Sequence, residues 1–238
     1  MSDANRPVAA IVLAAGKGTR MKSDKHKVLH PVAGRPMLEH LLASLAVLEP
    51  QRTVVIVGDG RDQLEAALGG GAELAVQDPQ LGTGHAVQQA QDALDGFSDD
   101  ILILYGDVPF VRPQTMQAML ERLHGEGNPA VVVLGFQPDD GLQYGRVIAS
   151  GDRISKMVEY KDANEEERAS PLCNSGLMAV RGEDLFGLLD RVKNDNAQGE
   201  YYLPDIVNLA LADGRSCAVV LAGDPDEVAG INSRAELA

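Results

Sequence analysis

The sequence has no tryptophan, and its 238 residues include only four phenylalanines and five tyrosines. Proteins that bind single-stranded nucleic acid stack the bases on aromatic side chains, so this scarcity argues against that class. Basic residues are also few, since 21 Lys and Arg stand against 35 Asp and Glu, for a formal net charge of −14. A surface of that sign repels phosphate backbones and anionic lipid, so we expect neither a nucleic-acid nor a membrane partner.

The sequence contains two cysteines, Cys173 and Cys217, which are far apart and lack the spacing of metal ligands. They are typical of reduced thiols in a cytoplasmic protein rather than of a disulfide framework. No apolar stretch reaches the roughly 20 residues needed to cross a bilayer. The apolar run 8–15 is short and follows no cationic region, so it predicts a buried strand and not a signal peptide. We therefore expect a cytoplasmic location.

Short β-branched runs alternate with segments of helical periodicity along the first half of the chain. This alternation predicts an α/β fold with an open, mostly parallel sheet and helices packed on it. The strands are predicted at residues 8–13, 53–57, 73–76, 101–105 and 130–136. The helices are predicted at residues 37–48, 61–68, 83–94 and 114–124, with Thr83 as the cap of the third.

The second half has a different pattern, with a hairpin predicted around Ser150-Gly151-Asp152 and a charged, solvated stretch at 161–168. No linker is long enough to divide the chain. We therefore expect one domain over residues 1–238 with a substrate-shaping insertion in its second half. The remaining strands are predicted at 146–149, 153–158, 177–180 and 217–221, and the remaining helices at 184–192 and 202–212.

A glycine-rich loop, Gly16-Lys17-Gly18, directly follows the first predicted strand. Ligands of open α/β sheets bind beyond the carboxyl ends of the strands, where small residues let backbone N–H groups approach phosphate oxygens. The loop and the residues after it are the most basic part of an acidic chain, which favours an anion site over a plain glycine turn. Met21 occupies the place of the third glycine of a Rossmann fingerprint, and no P-loop motif is present. The bases are Lys17, Arg20, Lys22, Lys25, Lys27 and Arg35.

Two further segments carry groups suited to a nucleotide complex. Asp107 closely follows a buried strand, a common place for a carboxylate that binds a Mg²⁺–phosphate complex, although it would equally cap a turn. Residues 80–85 bring amides and a hydroxyl to a predicted helix start, which suits a base or an anion as well as ordinary capping. His26 and His30 have helical zinc spacing, but Pro31 follows and no third ligand is near.

Taken together, these segments resemble the nucleotide-sugar pyrophosphorylases, and within them the uridylyltransferase domain of bacterial bifunctional N-acetylglucosamine-1-phosphate uridylyltransferases. The resemblance runs from residue 10 to residue 237. It implies a mixed, Rossmann-like sheet of the nucleotide-diphospho-sugar transferase type, with a nucleotide-binding half at about 1–128 and a sugar-binding half at about 129–238. The matching motifs are 13–21, 27–29, 80–86, 104–109, 144–146, 159 with 161–162, 174–176, 196–202 and 231–234.

The resemblance also implies a role for individual residues. The nucleotide would be lined by Leu13, Ala14, Ala15 and Gly16, with Gly18, Thr19 and Arg20 around its triphosphate. The uracil edge would be read by Gln77, Gly82 and Thr83, and the amino sugar held by Gly145, Glu159, Asn174 and Tyr202. Tyr105, Gly106 and Asp107 would lie between ribose, sugar and metal, and Mg²⁺ would bind Asp107 and Asn232. The catalytic cations would be Arg20 and Lys27, the latter bridging phosphates.

The activity implied is Mg²⁺-dependent formation of UDP-N-acetylglucosamine and pyrophosphate from UTP and N-acetylglucosamine 1-phosphate. Another sugar or alcohol phosphate, another nucleotide, or an inactive nucleotide-sugar sensor are the alternatives. The chain departs from the family in three places. His26 stands where proline is usual, Pro204 stands where threonine is common, and no hexapeptide repeat follows Asn232, so we expect no acetyltransferase activity.

Overall fold

The computed structural model describes residues 6–16, 18–139 and 143–237. Lys17, predicted in the phosphate-binding loop, lies outside these ranges. The strands described are β1 (Val8–Leu13), β2 (Pro31–Val32), β3 (Arg35–Pro36), β4 (Arg52–Val57), β5 (Glu73–Val76), β6 (Asp100–Tyr105), β7 (Val131–Phe136), β8 (Arg146–Ser150), β9 (Arg153–Val158), β10 (Cys173–Arg181) and β11 (Cys217–Leu221). The α-helices described are α1 (Met37–Ala46), α2 (Arg61–Leu68), α3 (Thr83–Gln88), α4 (Pro113–Leu123), α5 (Glu165–Arg168), α6 (Gly182–Leu189), α7 (Asp205–Ala212) and α8 (Arg234–Leu237).

Within the described ranges, nine strands form one sheet in the order β5-β4-β1-β6-β10-β7-β11-β9-β8. Strands β5, β4, β1 and β6 are parallel, β10 is antiparallel to both of its neighbours β6 and β7, and β7 pairs with β11 in parallel. The antiparallel pair of β8 and β9 closes one edge. This arrangement confirms the predicted mostly parallel, mixed α/β sheet.

The central strands are buried on both faces. All six residues of β1 are buried, and its alternate side chains enter two separate apolar clusters, Ile11 in one and Val12 in the other. Burial of each such aliphatic side chain contributes about 1.5–3 kcal/mol. Helix α1 packs into the second cluster through Leu38, Leu41 and Leu45, which recur on one face.

Several predicted bounds were wrong, and the hydrogen bonds show why. The predicted helix 83–94 stops at Gln88, because the next three N–H groups donate three residues back instead of four, and a 3-10 turn follows at Asp92–Leu94. Thr83 is not a cap, since its hydroxyl accepts from the backbone N of Leu203 at 3.0 Å. Helix α7 begins at Asp205 rather than at Tyr202, and the N–H groups of Asp205, Ile206 and Val207 donate three residues back instead of four.

Other differences concern the second half. Strand β10 is longer than the predicted 177–180, with an irregular register between Asn174 and Met178. Within the stretch 161–168, α5 forms because Asn164 and Glu167 make a reciprocal capping box. The hairpin of β8 and β9 is confirmed, with Gly151 at φ 61° in its turn. Among the described residues, no helix has the length and apolarity to cross a membrane.

Candidate active site

A cavity of about 360 Å³ lies where β1 and β6 end, at Leu13 and Tyr105. Because these strands are parallel and paired in register, their carboxyl ends bring two separate loops to one edge of the sheet. The cavity is lined by Leu13, Ala14, Ala15, Gly16, Lys27, Val28, Gln77, Gln80, Gly82, Thr83, Ala86, Tyr105, Asp107 and Glu200. Most of these are residues predicted around the nucleotide and the metal, so the structure brings that set together.

The loop after β1 is shaped by close packing around Lys27. Gly18 has a left-handed backbone with φ 58°, and a Cβ on it would lie 2.6 Å from the Lys27 Cβ, so only glycine fits. Thr19 and Arg20 follow on a 3-10 turn and are exposed, outside the cavity lining. Arg20 lies close enough to Glu236 to help lower the pKa of that carboxyl, although the hydrogen bond from the Asn232 N–H is the main cause.

Lys27 joins two predicted metal ligands that come from distant parts of the chain. Its Nζ donates to Asp107 Oδ2 at 2.5 Å and to Asn232 Oδ1 at 3.1 Å, and the Lys27 and Asp107 side chains are each 14% exposed. The segment carrying Asn232 is tied to the end of β6, because Ile231 N donates to Asp107 O at 2.9 Å. The three side chains therefore form one cation–oxygen cluster beside the cavity.

His26 anchors the turn that carries Lys27. Its backbone N donates to Gln63 Oε1 at 2.9 Å, and its buried ring packs so tightly below Gly60 that a Cβ there would lie 3.0 Å from His26 Cδ2. Burial, and then the charge of Lys27, lower the pKa of His26. The proline usual in the family has no N–H for the bond to Gln63. His26 therefore holds the turn by a hydrogen bond, where proline would hold it by its rigid ring.

The loop that carries the predicted nucleobase residues is held by glutamine side chains. Gln77 is 5% exposed, and its Nε2 lies 2.9 Å from Gly82 O and 3.2 Å from His85 Nδ1. Gln80 Nε2 donates to Ala15 O, which ties this loop to the one after β1. Gln80 belongs to the matching motif 80–86 but has no predicted role.

Backbone hydrogen bonds join residues 81–84 to the segment just before α7. Tyr201 N donates to Leu81 O at 2.9 Å, and Gly84 N donates to Tyr201 O at 2.7 Å. A Cβ on Gly82 would lie 2.6 Å from Tyr201 O, closer than any side chain tolerates. The predicted nucleobase side of the cavity and the predicted sugar side are therefore in direct backbone contact.

The predicted sugar residues form a second group next to the cavity. Asn174 N donates to Gly145 O at 2.9 Å, and a Cβ on Gly145 would lie 3.3 Å from Glu159 Oε1, so these three are neighbours. Burial is the main cause that raises the pKa of Tyr105, and the nearby carboxylates of Glu159 and Asp107 raise it further.

Acidic side chains surround Glu159. Burial raises the pKa of its carboxyl, and the nearby carboxylates of Asp205, Asp162 and Glu200 raise it further. The Tyr202 hydroxyl is buried here, and within the described ranges no group makes a hydrogen bond of ordinary geometry with it. A polyhydroxylated ligand would supply partners for both groups.

A larger groove of about 1010 Å³ lies along β8, β9 and α5. Lys156 and Glu167, both on its wall, are paired with each other at 2.5 Å. The groove contains none of the predicted site residues among those that line it in the described part of the chain. The smaller cavity is therefore the candidate active site.

Comparison with known proteins identifies relatives that match nearly the whole of this chain. The chain is 75% identical over 232 residues to the bifunctional protein GlmU of Novosphingobium aromaticivorans, covering 98% of this chain and 51% of the relative. It is 70% identical over 234 residues to the same-named protein of Sphingopyxis alaskensis (98% and 52%) and 58% identical over 240 residues to that of Zymomonas mobilis (99% and 53%). The chain thus spans about half the length of the curated relatives it matches.

Solved structures with 20% identity show the same fold. The inositol-1-phosphate CTP transferase from T. maritima aligns with a TM-score of 0.72 over 96% of this chain and 90% of that one. A putative glucose-1-phosphate thymidylyltransferase from Bacillus anthracis aligns with a TM-score of 0.73 over 97% and 92%. Residues 10–173 match the model of the MobA-like NTP transferase domain. The chain therefore belongs to the family of MobA-like NTP transferase domains.

Proposed function

We propose that this chain transfers a uridylyl group from UTP to N-acetylglucosamine 1-phosphate, forming UDP-N-acetylglucosamine and pyrophosphate. The observation that carries the proposal is the cluster of Lys27, Asp107 and Asn232 beside a cavity at the carboxyl ends of β1 and β6. A cation-binding pair of oxygens next to a lysine is what a reaction between two polyanions needs. The identity to GlmU proteins supports this choice of substrates.

Asp107 and Asn232 fit a magnesium ion. They offer a carboxylate and an amide oxygen, the hard ligands that Mg²⁺ takes, and both oxygens accept hydrogen bonds from the Lys27 ammonium, which supports a cation at this place. Within the described ranges, no group of three or more His, Cys, Asp or Glu side chains is placed to hold a metal. A bound Mg²⁺ would therefore complete its shell with phosphate oxygens and water, and it would neutralise charge on the phosphates.

The chemistry needs positioning and charge rather than a general base. An oxygen of the sugar phosphate, already anionic near neutral pH, attacks the α-phosphorus of UTP. The bond from that phosphorus to the bridging oxygen breaks, and pyrophosphate leaves with the electron pair. Lys27 and Arg20 stabilise the negative charge on the phosphates, and the backbone around Gly16 and Gly18 approaches the triphosphate closely.

The two halves of the chain divide the substrates between them. In the nucleotide half, Leu13 to Gly16 line the nucleotide, and Gln77, Gly82 and Thr83 face the base. In the other half, Gly145, Glu159, Asn174 and Tyr202 bind the amino sugar, with Tyr105 and Gly106 at the boundary. Glu159 accepts from sugar hydroxyls, and the Asn174 amide both donates and accepts.

The two buried, unoxidised cysteines, Cys173 and Cys217, support the cytoplasmic location that we propose for this reaction. Burial raises the pKa of both thiols, to about 11 for Cys217, so neither is a nucleophile near neutral pH.

Pyrophosphate release, measured with each nucleoside triphosphate against a panel of sugar 1-phosphates in Mg²⁺, tests the proposal. We expect the highest kcat/KM for UTP with N-acetylglucosamine 1-phosphate. A higher value for another pair would replace the substrates. Tight binding of UTP without turnover for any acceptor would identify a nucleotide-sugar sensor instead.

A further inference from the structure

The amide of Gln77 is held in one orientation by two acceptors. Its Nε2 lies 2.9 Å from Gly82 O, and because a carbonyl oxygen only accepts, the atom facing it must be the nitrogen. The other N–H of the same amide points to His85 Nδ1 at 3.2 Å. Both donors of the Gln77 side chain are therefore used inside the protein.

The remaining polar atom of this side chain is Gln77 Oε1. Gln77 lines the cavity, and among the described residues no group donates to its Oε1. This oxygen is not fully buried, so a ligand can reach it. The amide thus offers the cavity an acceptor and no donor. A ligand group that meets it must carry an N–H or O–H.

His85 decides this orientation together with Gly82. Since its Nδ1 accepts from Gln77, the ring is neutral with its proton on Nε2. Burial lowers the pKa of His85, which favours this neutral form. The imidazole is held in the first turn of α3 beside the Tyr201 ring, with 6.4 Å between the ring centroids.

We infer that His85 is a positioning residue for nucleobase selection, fixing Gln77 so that only an acceptor meets the base. The inference rests on the proposed function. Uracil presents an imide N3–H, which Oε1 accepts, whereas the N3 of cytosine is itself an acceptor. A glutamine free to rotate would turn its Nε2 toward cytosine, but one locked by His85 and Gly82 leaves two acceptors facing each other. Such an unpaired contact is what a selective site uses to reject an analogue.

Two substitutions at His85 separate this role from simple packing. His85→Phe keeps a ring beside Tyr201 but removes the acceptor, whereas His85→Asn keeps an acceptor near the position of Nδ1. Calorimetric Kd values for UTP and CTP, measured without a sugar phosphate, give the selectivity of each protein. We expect His85→Phe to lower the Kd ratio of CTP to UTP about tenfold, the typical effect of one hydrogen bond, and His85→Asn to stay within about threefold of the unmodified protein.

Turnover provides a second readout. The loss in His85→Phe should lie in the KM for UTP, with kcat little changed, because the base is remote from the reacting phosphorus. A CTP-to-UTP ratio unchanged in His85→Phe, or an equal loss for both nucleotides, would overturn the inference and leave His85 a packing residue. If that variant does not fold, His85→Ala removes the same acceptor without adding volume, and the same ratio decides.

The binding measurement also separates this inference from the proposed reaction. An unmodified protein that binds UTP selectively but turns over no sugar phosphate would contradict the proposed reaction, and the Kd ratios would still decide the role of His85. An unmodified protein without measurable preference for UTP would overturn the inference, whatever its turnover.

Discussion

Lys27 Nζ lies 2.5 Å from Asp107 Oδ2, at the position where that carboxylate would bind a metal ion. The ammonium also donates to Asn232 Oδ1, so it occupies the space between both proposed ligands. A metal ion and this ammonium would compete for the same two oxygen atoms, so each would weaken the binding of the other. If Asp107 and Asn232 held a metal ion, Lys27 would be free to contact the phosphates, and the predictions for Lys27 and Asp107 follow from this competition.

Replacing Lys27 by Met removes the competing ammonium and keeps a long unbranched side chain. We expect Mn²⁺, used as a paramagnetic substitute for Mg²⁺, to bind the nucleotide-free variant about tenfold more tightly, because a charge-assisted hydrogen bond contributes about 1.5–3 kcal/mol. Electron paramagnetic resonance of free Mn²⁺ measures this affinity. Turnover should fall about 10²-fold or more, since a cation at the phosphates is lost.

Lys25→Met is the matched control for that variant, because Lys25 is an exposed base two residues away in the same loop. It should change neither Mn²⁺ affinity nor turnover. Unaltered Mn²⁺ affinity in Lys27→Met would mean that the metal does not use the oxygens that Lys27 occupies.

Asp107→Asn should remove most turnover while the fold survives. Loss of the one carboxylate in the cluster weakens both the binding of the metal and the hydrogen bond to Lys27. We expect the rate to fall by about 10²-fold or more. Pyrophosphate release in Mg²⁺ measures the loss, and circular dichroism checks the fold. The exposed Asp95→Asn serves as the charge control. Near-normal activity of Asp107→Asn would take Asp107 out of the metal site.

Gly82→Ala should impair binding of both substrates at once. Gly82 has φ 118°, a conformation that costs a non-glycine residue about 1–3 kcal/mol, and its new Cβ would collide with the Tyr201 backbone at 2.6–2.8 Å. We expect higher KM values for UTP and for the sugar phosphate, because Tyr201 precedes Tyr202, which we propose to bind the sugar. Gly96→Ala is the control, since Gly96 also has a positive φ of 72° but no atom near its Cβ. A change confined to one substrate would contradict the backbone coupling.

Glu159→Gln should raise the stability of the fold, and the gain should be larger at high pH than at low pH. The pKa of Glu159 is raised in the folded protein by burial and by Asp205, Asp162 and Glu200, so ionisation of Glu159 destabilises the fold. This penalty is absent below the ordinary value of 4.5, grows as pH rises through the folded pKa, and is complete above it. The Gln variant should therefore have the higher Tm at pH 8, with the difference shrinking as pH falls toward 4.5.

The same variant should bind the sugar more weakly. Loss of a charged acceptor predicts an increase of about tenfold in the KM for N-acetylglucosamine 1-phosphate. Glu126→Gln, at an exposed loop position, controls for the loss of one negative charge. A Tm difference that does not vary with pH would show that Glu159 is not the group responsible.

The sequence by itself determined most strands of the large sheet, although it missed β2, β3 and the first part of β10. Strand β1 has the predicted bounds, because a continuous β-branched run can be buried on both faces only in a central strand. The glycines after β1 and the carboxylate after β6 were identified from their positions alone, since the carboxyl ends of parallel strands meet at one edge. Bounds failed at the end of α3 and at the start of α7, where local patterns predicted further helical residues and the backbone N–H groups donate three residues back instead of four.

Only the tertiary structure decided which side chains meet. Asp107 lies 80 residues and Asn232 lies 205 residues from Lys27 along the chain, and no local pattern links them. The orientation of the Gln77 amide likewise depends on Gly82 and His85, eight residues or fewer away but across a turn that propensity does not describe. Periodicity reports which face of an element is buried, whereas hydrogen bonds between elements depend on how the sheet brings their ends together, and that arrangement exists only in the folded chain.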